Sequence, residues 1–172
     1  MGLLRSGQHR GRGRLRQPAG VRSLRDRRDG LARSGSLGRG VKGRVLAAGR
    51  AEGRALVLDE PLSLWGGMDP HSGKVIDARH PQQGAQLSGR VLVMRAVRGS
   101  SSSSSILAEA VRAHSAPAAI LMAEPDLILA VGAAVAAELY GVGVPVVVLS
   151  PDDLALIADG AALRVEPDGT VT

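Results

Sequence analysis

A glycine followed by six serines, Gly99-Ser100-Ser101-Ser102-Ser103-Ser104-Ser105, is the stretch of this chain best suited to chemistry. A serine hydroxyl is a poor base at neutral pH, and it accepts a proton only where fixed N–H groups or cations stabilise the resulting oxyanion. The mouth of a helix supplies such N–H groups. Ser100 has the best placement: it directly follows Gly99, which permits close backbone approach or a positive φ, and Arg98 is a nearby cation. Ser101 and Ser102 are placed to donate to a carboxylate. Arg98 reads either as an anion clamp or as a plain surface charge, and Ser104 and Ser105 read as caps of the helix that follows.

Two elements must hold this turn. Residues 90–94 have the pattern of a strand, and residues 106–113 that of a helix whose apolar set, Ile106, Leu107, Ala110 and Val111, lies opposite Glu109 and Arg112. A flexible serine linker is the competing reading. Apolar periodicity resumes on both sides and leaves no second domain to tether, which argues against it.

Downstream, strands and helices alternate. Residues 118–122 predict a strand, Asp126 caps a helix over 127–139, and residues 146–149, entered at Pro145, predict a central buried strand. Ser150-Pro151-Asp152-Asp153 combines an N-cap, proline at the first helical position and acids in the first turn, with Gly160 as the stop. A last strand over 162–165 precedes an Asp168-Gly169 turn.

Upstream, residues 44–48 and 54–58 flank Gly49-Arg50-Ala51-Glu52-Gly53 and read as a β-hairpin. Residues 61–65 read as a short strand ended by Gly66-Gly67, and residues 68–86 as a long polar loop. The expected fold class is α/β, a β-rich first part followed by alternating βα units.

Composition divides the chain. Residues 1–40 hold eleven arginines and two acids, a net charge of +9, whereas residues 41–172 hold eleven basic and fourteen acidic residues, a net charge of −3. The Arg/Gly/Ser-rich segment has no apolar period to offset the entropy of ordering, so a disordered arm is expected there. Phosphate contact with nucleic acid, N-myristoylation at Met1-Gly2-Leu3-Leu4-Arg5-Ser6 and a transit peptide are alternatives. No aromatic residue is interleaved for base stacking, and a solvated tail, or translated sequence upstream of the true start, is the preferred reading.

Residues 41–172 suit one domain. Its core must be aliphatic, since the chain has no Phe, one Trp and one Tyr. Without cysteine there is no disulfide and no thiolate-ligated metal within the chain, in keeping with a cytoplasmic protein. The longest apolar run, 127–137, is too short to span a bilayer, so no membrane partner is expected. His71, His80 and His114 are present, but neither a Gly-x-Ser-x-Gly elbow nor a P-loop is. His71 and His80 with Asp69 and Asp77 could suggest a metal, yet in a polar loop such residues serve turns or stay solvated; no metal ligand is assigned.

Several segments taken together resemble a known family. Ala51-Glu52-Gly53, Pro61-Leu62-Ser63-Leu64-Trp65-Gly66-Gly67-Met68-Asp69-Pro70, Ser72-Gly73-Lys74-Val75-Ile76-Asp77, His80-Pro81, Gly84 and Arg98-Gly99-Ser100-Ser101 are similar to the small subunit of aconitase X. The likeness continues more loosely through Ala116-Pro117, Ala130-Val131-Gly132-Ala133 and Gly143-Val144-Pro145-Val146, and none of it falls in residues 1–40. The sequence departs from the family pattern at Arg95-Ala96-Val97, where relatives often carry a proline and a further glycine, and in the uniformity of its serine run.

The resemblance implies a swivelling β/β/α domain that works with a large subunit carrying an iron-sulfur cluster, with no cofactor bound by this chain. It implies elimination of water from a hydroxy acid such as cis-3-hydroxyproline or phosphomevalonate. The family's proton acceptor, the first serine after the glycine, falls on Ser100; Arg98, Gly99 and Ser101 are the candidate substrate-binding residues beside it. Two alternatives stand beside it: a nucleic-acid-binding protein acting through the arm, and a small-molecule-binding swivel domain without chemistry.

Overall fold

The computed structural model describes residues 40–172, so the expectations for the Arg-rich arm lie outside the described residues. Three aliphatic runs set the centre of the fold. Strands β6 (Val91–Met94), β7 (Ala119–Met122) and β8 (Val146–Val148) pair in parallel. Every residue of β6 and β7 is buried, so both faces are covered, which is why these strands are unbroken apolar runs rather than alternating ones.

Around this centre the sheet turns antiparallel. β3 (Ala51–Val57) lies parallel to β6 through its second half and antiparallel to β9 (Ala162–Val165) through its first. β10 (Thr170–Val171) and β1 (Val41–Lys42) extend that side, and β2 (Arg44–Ala47) pairs antiparallel with β8 on the other. The strand order is β1-β10-β9-β3-β6-β7-β8-β2.

The two ends of that order are neighbours in the chain, with only Gly43 between β1 and β2. The sheet therefore curls back on itself into a barrel-like shell. The Gly43 N–H donates to the Gly169 carbonyl at 2.9 Å, and a Cβ here would collide with the Val147 side chain and lie 2.6 Å from the Val148 carbonyl. Only glycine fits this seam.

Curling creates two cores from alternate residues of the same strands. Val91, Val93, Ala119, Leu121 and Val147 point inward to Leu163, Val165 and Val171. Leu92, Met94, Ile120, Met122 and Val146 point outward to Leu107, Ala110, Val111, Leu129 and Ala133 of helices α2 (Ser103–Arg112) and α3 (Leu127–Tyr140). The result is a β/β/α stack, the expected class, with the βαβαβαβ alternation from β6 to β9 present as read. Local signals hold as well: Asp126 accepts from the Leu129 N–H at 2.8 Å, and Ser150 caps α4 (Pro151–Ala155).

Other expectations need correction. The hairpin over residues 44–58 does not form, because β2 and β3 each find partners remote in sequence, β8 for the one and β6 and β9 for the other. The strand at 61–65 reduces to one parallel bridge between Leu62 and Val97; residues Leu64–Gly67 make a single kinked turn, α1, with Trp65 and Gly66 outside helical geometry. Residues 68–86 contain a two-stranded ribbon, β4 (Met68–Asp69) with β5 (Lys74–Val75), anchored by buried Met68 and Val75. α4 ends at Ala155, well before Gly160. β8 is, as read, an interior strand, flanked by β7 and β2 and buried at Val146 and Val147.

Candidate active site

The serine turn lies beyond the C-terminal end of β6, where ligands of parallel sheets commonly bind. The chain leaves β6 at Met94, and α2 begins at Ser103. Between them Ser100 acts as the head of the helix. Its Oγ accepts a long hydrogen bond from the Ser102 N–H at 3.3 Å, and its carbonyl accepts from the Ser103 N–H at 2.9 Å. Ser102 occupies the cap position with helical backbone angles and no side-chain capping bond. The positive end of the α2 dipole therefore stands behind the Ser100 hydroxyl.

The remaining serines divide by role. Ser103 is buried, and its Oγ accepts from the Trp65 N–H at 3.4 Å. Ser104 donates to the Ser101 carbonyl at 3.0 Å, inside the first turn rather than as a cap. Ser101 is exposed, and among the described residues its hydroxyl meets no partner. Gly99 departs from expectation in one respect: its φ is not positive; a Cβ there would meet open space within the described residues.

Arg98 is an exposed cation paired with Glu60, Nη2 to Oε2 at 3.3 Å, while its N–H donates to the Leu62 carbonyl at 3.3 Å. Glu60 was not legible from the sequence, because the pairing of β3 with β6 and the Leu62–Val97 bridge bring the two segments together only in the fold. Buried His80 fixes the same segment. Its Nδ1 accepts from the Gln82 N–H at 3.1 Å, so Nε2 carries the proton and donates to the Glu60 carbonyl at 3.1 Å. Both nitrogens are thus committed to backbone, a structural task.

The other polar residues of this region are committed too. Asp69 accepts from the His71 and Ser72 N–H groups and the Ser72 hydroxyl, which holds its carboxyl below the usual range, the Ser72 hydroxyl contributing most. Asp77 accepts from the Arg79 N–H. Ser115, buried, donates to the Pro70 carbonyl and ties the ribbon to the end of α2. Among the described residues no three His, Asp or Glu side chains converge on a point. Iron-sulfur clusters are held mainly by cysteine thiolates, and this chain has none, so its own residues do not fit such a cluster.

Two further contacts were invisible in the sequence. Gly132 of α3 lies against the first turn of α2, where a Cβ would come within 2.8 Å of the Ser104 Cα and carbonyl oxygen. Trp65 flanks the same turn through Ser103 and is 58% exposed. A cavity of about 420 Å³ opens beside α4, walled by Val57, Val93, Met94 and Leu154. It contains none of Arg98, Ser100 or Ser101, and its mainly apolar walls are broken by Arg95 and Glu124.

Comparison with known proteins identifies the family. Residues 40–172 match the family described as the aconitase X swivel domain. The chain is 48% identical over 124 residues to cis-3-hydroxy-L-proline dehydratase of Pseudomonas aeruginosa, a match that covers 68% of this chain but only 21% of that much longer protein. It is 36% identical over 126 residues to the phosphomevalonate dehydratase small subunit of Methanothermobacter thermautotrophicus, covering 73% of this chain and 92% of the relative. The crystal structure of Thermococcus kodakaraensis aconitase X superposes with a TM-score of 0.70 at 32% identity, over 78% of this chain and 97% of that one. With all the described residues matched and the layering shared, the chain belongs to the aconitase X swivel domain family.

Proposed function

We propose that this chain is the small subunit of an aconitase X-type dehydratase, in which Ser100 is the base for elimination of water from a hydroxy acid. The observation that carries the reading is the Ser100 hydroxyl at the entrance of α2, where the Ser102 N–H already points at Oγ from 3.3 Å. An oxyanion at that atom is stabilised by the same N–H and by the helix dipole. As the alkoxide, Oγ takes the proton from the carbon beside the substrate carboxylate, the freed electron pair forms the C=C bond, and the hydroxide leaving the neighbouring carbon takes up that proton from Oγ, departing as water and restoring the alkoxide.

Ser101 and the backbone at Gly99 lie beside Ser100 to hold the carboxylate. Arg98 exchanges Glu60 for the substrate anion, a swap that an exposed pair permits at little cost. The iron-sulfur cluster belongs to the large subunit in this proposal, and no step assigned to this chain uses it. The substrate is a hydroxy acid of the kind named for the relatives, cis-3-hydroxy-L-proline or phosphomevalonate. This chain's contribution to catalysis lies in the domain over residues 41–172, the arm over 1–40 is an appendage to it, and the assembly works in the cytoplasm without membrane or nucleic acid.

The full chain co-expressed with its cognate large subunit tests the reading. Turnover should require both chains and fall about 10²–10⁴-fold in Ser100→Ala, the range for loss of a general base, with the complex intact. Unchanged turnover would remove Ser100 from the mechanism. If no complex forms and the full chain instead binds RNA through residues 1–40, the enzyme reading is lost.

A further inference from the structure

Helix α3 is built inside out. Its fourteen residues include a single charge, Glu138, and its buried side carries the small residues Gly132, Ala133 and Ala136 with Leu129. Its outward side carries Leu127, Val131, Val135 and Leu139, which are 71%, 56%, 41% and 64% exposed. Their spacing of four places them along one face. A helix apolar all round belongs in an interior, and a contiguous exposed apolar stripe marks an interaction surface.

The inward residues are small because α3 must approach α2 closely, as the Gly132 contact with Ser104 requires. The bulk has therefore moved to the side that this domain leaves open. A shallow groove of about 280 Å³ between the helices joins this stripe, through Val131 and Val135, to Ser104 and Ser105. Trp65 stands on the other flank of the same first turn.

We infer that the outward face of α3, continued past the serine turn to Trp65, is the surface on which the large subunit docks; this rests on the dehydratase reading above. In the Pseudomonas protein the matched segment is 21% of the chain, and the Methanothermobacter protein is named as a small subunit. A partner that presents substrate to Ser100 must lie against the turn, and the apolar stripe is continuous with it. The Arg-rich segment over residues 1–39 offers cations to a face that is almost uncharged, so it is a poor occupant. A second copy would cover α3 while crowding the serine turn with another surface on which, among the described residues, no metal-ligating cluster occurs.

The test uses the full chain and the tagged cognate large subunit, with affinity read by titration and self-association by sedimentation. Val131→Glu combined with Leu139→Glu should weaken the complex about a hundred-fold or more while circular dichroism and melting are retained, since both side chains are exposed. Leu156→Glu, exposed beside α4, should bind as the parent does and controls for added charge. If the parent binds and the double variant binds equally well, the surface is wrong but the dehydratase reading stands. If the parent binds no large subunit and dimerises through α3, a second copy is the occupant and the inference is overturned. If it neither binds nor dimerises, the dehydratase reading falls and takes the inference with it.

Discussion

Serine heads two helices in this molecule, and the two are wired differently. At α4, the Ser150 Oγ accepts from the Asp153 N–H at 3.1 Å and donates to the Asp153 carboxylate at 2.7 Å, so both of its capacities are spent on the helix it starts. At α2, the cap-position Ser102 makes no side-chain bond, and the helix is headed from two residues further back, where Ser100 accepts a single long bond from the Ser102 N–H. A cap that satisfies itself stabilises; one left partly unsatisfied at a helix N-terminus keeps capacity for a ligand or a proton. Both helices start at the C-terminal edge of the parallel strands, yet the same residue type spends its hydroxyl on stability at α4 and leaves hydrogen-bonding capacity unused at α2.

The sharpest way to break this contrast is to delete each hydroxyl in turn. Ser100→Ala should lower kcat about 10²–10⁴-fold in the reconstituted dehydratase with little change in melting temperature. Loss of folding instead of turnover would make Ser100 a cap like Ser150. Next in size, Gly132→Val pushes α3 away from Ser104 and should cost about 1–3 kcal/mol through overpacking, although valine is the better helix former. Denaturant unfolding measures it, and an undiminished midpoint would mean that the packing behind the serine turn is looser than the 2.8 Å approach implies.

Ser150→Ala should leave turnover unchanged and lower stability by about 1 kcal/mol, a fall of roughly 2–4 °C in melting temperature. A loss of turnover here would dissolve the distinction between the two helices. The smallest effect concerns a third self-satisfied turn. Asp168 accepts from the Thr170 N–H and hydroxyl and from Lys42, in that order of importance, and these hold its carboxyl at about 2, below the ordinary 3.8. A carboxyl lowered on folding adds stability that is fully present above its unfolded pKa and fades as pH falls from about 4 through about 2. Asp168→Asn should flatten that part of the stability-pH curve, and an unaltered slope would show the turn to be inert.

What was readable in the sequence follows the range of the forces involved. The caps at Asp126 and Ser150 were legible because each is a bond between residues three apart. The strands β6, β7 and β8 were legible because burial on both faces admits only apolar residues. The hairpin over residues 44–58 failed because a glycine-bearing loop between two apolar runs is only local evidence, and both strands pair with segments far along the chain. Strands β1 and β10 were missed because two residues carry no period.

The serine turn divides along the same line. Its place between a strand and a helix, the candidacy of Ser100 within it and the likeness to aconitase X came from sequence alone, because each depends on residue type and order. Glu60 beside Arg98, Trp65 against Ser103 and Gly132 against Ser104 were decided only when the sheet closed at Gly43 and stacked the helices on one side. Those contacts join residues tens of positions apart, and no local pattern encodes them. They arise because the outward-pointing half of β6, β7 and β8 has to be covered, and α2 and α3 are the elements that cover it.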